Sequence, residues 1–286
     1  MPASFAIDLC GYRKGNPNTS DSSSSDSVGL GHLFFEHLGV PKEKSAEKID
    51  HVWSMAMVAD LQAKLQAVAP HLEVERERHA HDFEQYAHLS AFRRLADEDS
   101  RPLDDAVERL QDHVLADEQG GEETSVLVEA LIQALDESRA RRRPLLDALG
   151  DESLPKLDIS VHRSLDPAGL EVPHLVAGLS LKWSLRTDRL QDPRTHGAKM
   201  ATLRRGRMPH FAAVTMEPRP YFLARLGQGT GDLDCIYHLH LPALTAAVDE
   251  HYSTKNRLKV RDTFHRMVEQ RRLRDYDDLV AYLRTL

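Results

Sequence analysis

Four strand-like runs in the second half of the chain, Leu157–His162, Val176–Trp183, Phe211–Met216 and Asp234–His240, limit its fold more than any other feature. Short apolar runs bounded by turn-forming and charged residues predict strands with little solvent on either face. A sheet built from such strands needs helices over it. The sequence supplies helical periodicity between the second and third runs, over about Arg194–Arg205, and again over Leu241–His251, Leu258–Arg271 and Asp277–Leu286. Strands flanked by helices predict an α/β or α+β domain with a mixed central sheet.

The first half reads differently. Ile49, Val52, Trp53, Ala56, Leu61, Leu65 and Val68 recur at helical spacing, predicting a helix over Ala46–Val68 with Ser45 as its cap. Further helices are expected over Asp82–Asp97, Leu103–Leu115 and Thr124–Leu135, with Gly120-Gly121 as a break and Arg139–Arg143 as a solvated helix end before Pro144. Residues 11–31, rich in Ser, Asn, Gly and Asp, read as a loop or flexible arm. The expected organisation is one domain over 1–286: an arm to residue 45, a mainly helical part over 46–150, and a sheet-containing core with C-terminal helices over 151–286.

Bulk properties exclude several classes. At 286 residues and 41% hydrophobic, the chain can bury a sizeable core. It carries no apolar run near the ~18 residues a bilayer span needs, and Met1–Asp8 has no basic region followed by an apolar stretch, so no signal peptide is expected. Cys10 and Cys235 lack both a disulfide framework and zinc-site spacing. These features predict a soluble protein of a reducing, cytoplasmic compartment with no membrane partner. The net charge of −8 argues against a general nucleic-acid coat. Yet Lys182–Arg207 holds eight basic residues and two acids, a local charge of +6. Basicity confined to one segment of an acidic chain fits a defined polyanion site, a solvated charged helix being the other reading.

Two residues interrupt the apolar runs. Asp158 lies in the first and Lys182 in the second, and each is expensive to bury alone. A hard divalent cation such as magnesium removes the cost for the carboxylate. With both in one cleft, the acid holds a metal and the ammonium contacts a phosphate or an attacking water, the kit for metal-assisted phosphodiester hydrolysis. A buried Asp–Lys pair, or exposure at a strand end, is the alternative. Immediately after come Arg186, Asp188 and Arg189. Arginine reads guanine through O6 and N7, and aspartate accepts from the cytosine amino group, so the cluster suits G·C readout in a major groove. Three polar residues paired with one another in a surface turn would look the same in sequence.

The segment Ser180-Leu-Lys-Trp-Ser-Leu-Arg-Thr-Asp-Arg189, with Gln191 after it, resembles the catalytic and recognition block of the NgoMIV restriction endonucleases. That family is a branch of the PD-(D/E)xK nucleases specific for sites with a CCGG core. The likeness extends in order through Gln85–Ser90, Asp158–Leu165, Gly206–His210, Val214–Pro218 and Gly229–His238. It implies a restriction-endonuclease-like fold and a type II, Mg2+-dependent enzyme. Such an enzyme cuts double-stranded DNA at a CCGG-containing palindrome, GCCGGC being the six-base expectation. A homodimer or homotetramer and a companion DNA methyltransferase are implied as well.

Residue by residue, Asp158 resembles the metal-binding aspartate and Lys182 the catalytic lysine. Ser180 stands where most PD-(D/E)xK enzymes keep a carboxylate, and Leu181 falls with Asp158 at the metal. Arg186, Asp188 and Arg189 resemble the triad that reads the CCGG bases. Asp50, with Glu47 second, matches an acid near the start of the first long helix. Two positions depart from the pattern. The glutamate expected about fourteen residues after the lysine is His196, a poorer magnesium ligand. Either His196 acts through a water or on a softer metal, or Asp192 or Glu217 substitutes. Near Phe222 the pattern carries an arginine that reads an outer base pair, a role left to Arg225 or Arg219. The arm around Asp21–Asp26 sits where outer bases are also contacted.

Overall fold

The computed structural model describes residues 3–90, 105–110, 112, 122–149, 156–164, 172–186, 190–228, 231–254 and 257–286. Two compact units divide it. One comprises Met1–Tyr86 with Pro155–Leu286, the other Ala87–Leu154.

The first unit is built on a six-stranded sheet in the order β3 (Glu73–His79), β4 (Lys156–Arg163), β5 (His174–Lys182), β6 (His210–Thr215), β7 (Cys235–His238), β8 (Leu273–Asp275). Pairing is antiparallel from β3 to β5 and parallel from β5 to β8. The sheet is therefore mixed, as the four strand-like runs predict. β5, β6 and β7 are buried over most of their length, which is why their sequences run apolar without alternation. Helices Gln191–Leu203, Leu241–His251, Leu258–Glu269 and Tyr276–Leu283 follow the expected segments closely, and Pro220–Leu226 adds a short one. The helix expected over Ala46–Val68 spans Asp50–Gln66; Ser45 instead bridges to Tyr12, so it is not the cap.

Three expectations are corrected. The serine-rich stretch is not a loop throughout: Tyr12–Arg13 (β1) pairs with Asn16–Pro17 (β2), and Ser25–Leu38 is a 14-residue helix. The serines begin that helix, Ser24 accepting from the Ser27 N–H, an arrangement serine favours over the helix interior. Leu30, Phe34 and Phe35 then seat it in the core. Residues 80–82 and 84–89 form 3-10 turns where a helix over Asp82–Asp97 is expected; 91–97 lie outside the described residues. In the second unit, 105–110 and 112 are helical, and Glu122–Leu149 is one continuous helix that runs through Pro144. Among the described residues no helix is long and apolar enough to cross a membrane. Cys10 and Cys235 are buried and free.

One ion pair fastens β6 to β7. His210 Nδ1 lies 2.8 Å from Asp234 Oδ2, and the same oxygen accepts the Phe211 N–H at 2.9 Å. Burial alone would push the His210 imidazole down, but bonding to Asp234 and to Cys235 together outweighs it and raises the ring to about 9. A histidine raised above its unfolded value contributes stability that is complete below ~6.5 and lost as pH rises through about 9. Denaturant unfolding at pH 6.5 and 9.5 should show a loss on the order of 3 kcal/mol. His210→Gln should be nearly indifferent to that change.

Candidate active site

β4 enters the sheet beside the point where β5 leaves it, so Asp158 near the start of β4 lies alongside Ser180–Lys182 at the end of β5. Asp158 Oδ2 accepts the Leu181 N–H at 2.6 Å and the Ser180 hydroxyl at 3.4 Å. Lys182 Nζ stands 3.4 Å from Asp192 Oδ2, and its side chain is 20% exposed. Asp158, Leu181, Lys182 and Asp192 line one cleft of about 940 Å³ together with Glu77, His51 and Arg186.

Helix Gln191–Leu203 brings Asp192 and His196 to this corner. Its seat depends on Gly197, where a Cβ would come within 1.7 Å of the Asp232 carbonyl oxygen. Arg194 Nε fixes the same loop through Asp232 Oδ2 at 2.7 Å. His196 is about half-buried. Burial pushes its imidazole below the ordinary range, the Lys182 charge adds to that, and Asp158 and Asp192 pull the other way. The structure thus gathers Asp158, Ser180, Leu181, Lys182 and His196.

Of the two carboxylates weighed as substitutes at position 196, Asp192 lines the cleft and Glu217 does not. Glu217 is fully buried, and both its oxygens are taken by Leu185 and Arg219. Burial raises its carboxyl, with Arg219 and backbone N–H groups opposing. Arg219 is committed as well, bonded to Glu217 and the Leu185 carbonyl and stacked over Phe222. It is not the free guanidinium that base readout requires.

Arg186 is exposed on the cleft wall, one residue past the buried Leu185. Asp188 and Arg189 lie outside the described residues. Asp50 opens helix Asp50–Gln66; its side chain lies outside the described residues, while Ile49 and Trp53 on either side line the cleft. Trp53 meets Trp183 edge-to-face at 5.3 Å, tying that helix to the exit of β5. Asp21 is bonded to Ser23, and Arg219 reaches its other oxygen at 3.4 Å. Those serine bonds, followed by the nearby Arg219 and Arg186 charges, hold the Asp21 carboxyl down. Arg225 is exposed, bonded to the Tyr221 hydroxyl at 2.8 Å, and is not among the cleft residues.

Sequence reasoning missed Glu77. It lies on β3 between the pairs Arg76↔Ile159 and Arg78↔Leu157, hence beside Asp158, with φ +56°. A non-glycine residue in the left-handed region is uncommon and costs free energy. Its carboxylate bonds Lys156 Nζ at 3.0 Å, which holds it below the ordinary range. The only sequence signal was an acid in a run too charged to read as a strand. Elsewhere on β3 and β4, ligand atoms of Glu73, Glu75 and His162 lie within 4.8 Å of one another, with Arg78 already paired to Glu75.

The arrangement offers oxygen donors to a hard cation. Asp158, Glu77 and Asp192 border one cleft, Asp158 Oδ2 is aimed by the Leu181 N–H, and a lysine stands beside them. Such a donor set fits magnesium or manganese better than a softer metal.

Comparison with known proteins identifies the family. Residues 140–284, half of the chain, match the family model described as NgoMIV restriction enzyme. The chain is also similar to the type II restriction enzyme NgoMIV of Neisseria gonorrhoeae. The two are 29% identical over 237 residues, which cover 83% of this chain and 71% of that protein.

Proposed function

The chain belongs to the NgoMIV restriction enzyme family and is a site-specific DNA nuclease; from that premise we propose that it is a Mg2+-dependent enzyme cutting double-stranded DNA at a CCGG-containing palindrome. The observation that carries this reading is the convergence of Asp158, Lys182 and Arg186 on one cleft. Chemistry and base contact then lie on a single short stretch of backbone.

Asp158 holds the metal in this reading, with Leu181 beside it, and Asp192 takes the part of the carboxylate absent at position 196. When bound, magnesium supplies Lewis-acid stabilisation of the charge that develops on the phosphoryl oxygens. Lys182, kept near the acids by Asp192, places its ammonium against the scissile phosphate. Ser180 supports Asp158 through its hydroxyl, and His196, held neutral, adds no charge that would repel the metal. Asp50 contributes from the adjoining helix end. Arg186, Asp188 and Arg189 read the C·G pairs from the major groove, while Asp21 and Arg225 face the outer bases.

A palindrome calls for a two-fold symmetric reader, so the working species is a homodimer or a pair of dimers. A companion methyltransferase protects the host's own sites. To test the whole reading, a DNA of known sequence is incubated with and without Mg2+ and the fragment ends are sequenced. Discrete fragments sharing a CCGG core, and none after chelation, are expected. Random fragmentation would remove the specificity assignment. The histidine at position 196 favours one second reading, a sequence-specific DNA binder with an impaired metal site. That reading predicts a shifted CCGG duplex that is never cut in either Mg2+ or Mn2+.

A further inference from the structure

We infer that Glu217 and Arg219 form a clamp that sets the position of the base-reading segment beginning at Arg186. This rests on the assignment of that segment to readout made above. The two residues follow β6, and their contacts converge on Leu185, the residue just before Arg186. Glu217 Oε2 accepts the Leu185 N–H at 2.7 Å, and Arg219 Nη2 donates to the Leu185 carbonyl at 2.6 Å. Both backbone polar groups of one residue are thus held by one ion pair. That pair is itself closed by Arg219 Nε on Glu217 Oε1 at 2.6 Å, Nη2 on Oε2 at 3.0 Å and the Arg219 N–H on Oε1 at 2.9 Å.

The surroundings give the clamp few ways to move. Thr215 Oγ1 accepts the Glu217 N–H at 3.0 Å, and the guanidinium lies 4.1 Å from the Phe222 ring centre. Its remaining nitrogen points to Asp21 at 3.4 Å. Two residues earlier in the held segment, the Trp183 carbonyl accepts the Met216 N–H at 3.1 Å. The stretch between Lys182 and Arg186 is therefore fastened at both of its alternate residues to the exit of β6. Charge-assisted bonds in a dry site are short and directional. A buried carboxylate is expensive unless several donors satisfy it, and here the donors come from Arg219 and from the chain that precedes the reader. Packing alone would anchor the Leu185 side chain, which is fully buried, but it would not fix the rotation of the peptide that launches Arg186. Bidentate reading of a base edge tolerates little misplacement.

Arg219→Lys keeps the charge and loses the fork that spans Glu217 and Leu185. Cleavage rates are compared on a CCGG duplex and on duplexes changed at one base of the core, alongside binding to an unrelated duplex. The discrimination ratio is expected to fall at least about tenfold, with unrelated-duplex binding unchanged. Partial unfolding lowers both rates together and leaves their ratio alone, so the readout does not depend on how well the variant folds. A ratio equal to that of the unaltered enzyme, in Arg219→Lys and in Arg219→Gln, would overturn the clamp. Arg186→Ala separates the two levels. If it loses discrimination while the Arg219 variants keep it, the clamp alone is wrong; if it too keeps full discrimination, the readout assignment beneath the clamp fails.

Discussion

Lys182→Ala should lower the cleavage rate by roughly 10²–10⁴-fold while the protein still selects its DNA site. Lys182 ends β5 with its ammonium in the cleft, 3.4 Å from Asp192 and beside the strand that carries Asp158. In the proposed mechanism that cation meets the charge that builds on the phosphoryl oxygens, and alanine puts nothing in its place. The backbone of residue 182 remains part of the β5–β6 ladder, so the substitution leaves the strand and the Leu185 anchor intact. Binding to the cognate duplex should weaken only by the loss of one phosphate contact, seen as a salt-dependence slope lower by about one. Single-turnover cleavage and a gel-shift titration on the same CCGG duplex give both numbers. Undiminished cleavage would remove Lys182 from the active site and with it the pairing to Asp158. Loss of binding and cleavage together would point instead to a residue that maintains the fold.

The parts of this site visible in the sequence are those where a charged residue breaks an apolar run. Asp158 and Lys182 stand out because β4 and β5 are interior strands whose neighbours are almost all buried. The same logic hides β3. As an edge strand among the described residues it pairs with β4 alone, and its sequence Glu-Val-Glu-Arg-Glu-Arg-His keeps one fully buried side chain, Val74. Charged residues on an edge discourage association with other sheets, and they also erase the alternation by which strands are read. Glu77 is hidden in the sequence for that reason, although it lies beside Asp158. β8, three residues long, is too short to show a period. The Glu217–Arg219 clamp was illegible for a different cause: its partner Leu185 is 32 and 34 residues away in the chain, and no local pattern records a contact between a side chain and a distant peptide. Glu217 in sequence was a candidate metal ligand; only its burial and its partners exclude it.

Phe34→Ala should destabilise the protein by about 3–5 kcal/mol, far more than composition around residues 11–31 suggests. A serine-rich arm with no fixed structure would tolerate the change within a few tenths of a kcal/mol. Phe34 instead sits in helix Ser25–Leu38 with no exposed surface, 5.5 Å from the His238 ring and 6.1 Å from Phe35. His238 is equally buried, and burial followed by the His240 charge pushes its imidazole to about 3, so Phe34 packs on a neutral ring. Removing the phenyl group leaves a cavity against that ring and forfeits the packing that the phenyl group makes there. The helix is fixed at its start too: Asp26 accepts from His251, Tyr252 and Arg257 at 2.9, 3.0 and 2.6 Å. Those bonds lie partly in solvent and are worth less than the ring. Ser24→Ala, which deletes the cap bond to the Ser27 N–H, should cost about 1 kcal/mol and serves as the scale. Urea unfolding of both variants ranks the two effects. A Phe34→Ala midpoint no lower than that of Ser24→Ala would mean that the N-terminal segment is an appendage after all, and that the Asp21–Arg219 contact carries no fixed geometry to the recognition segment.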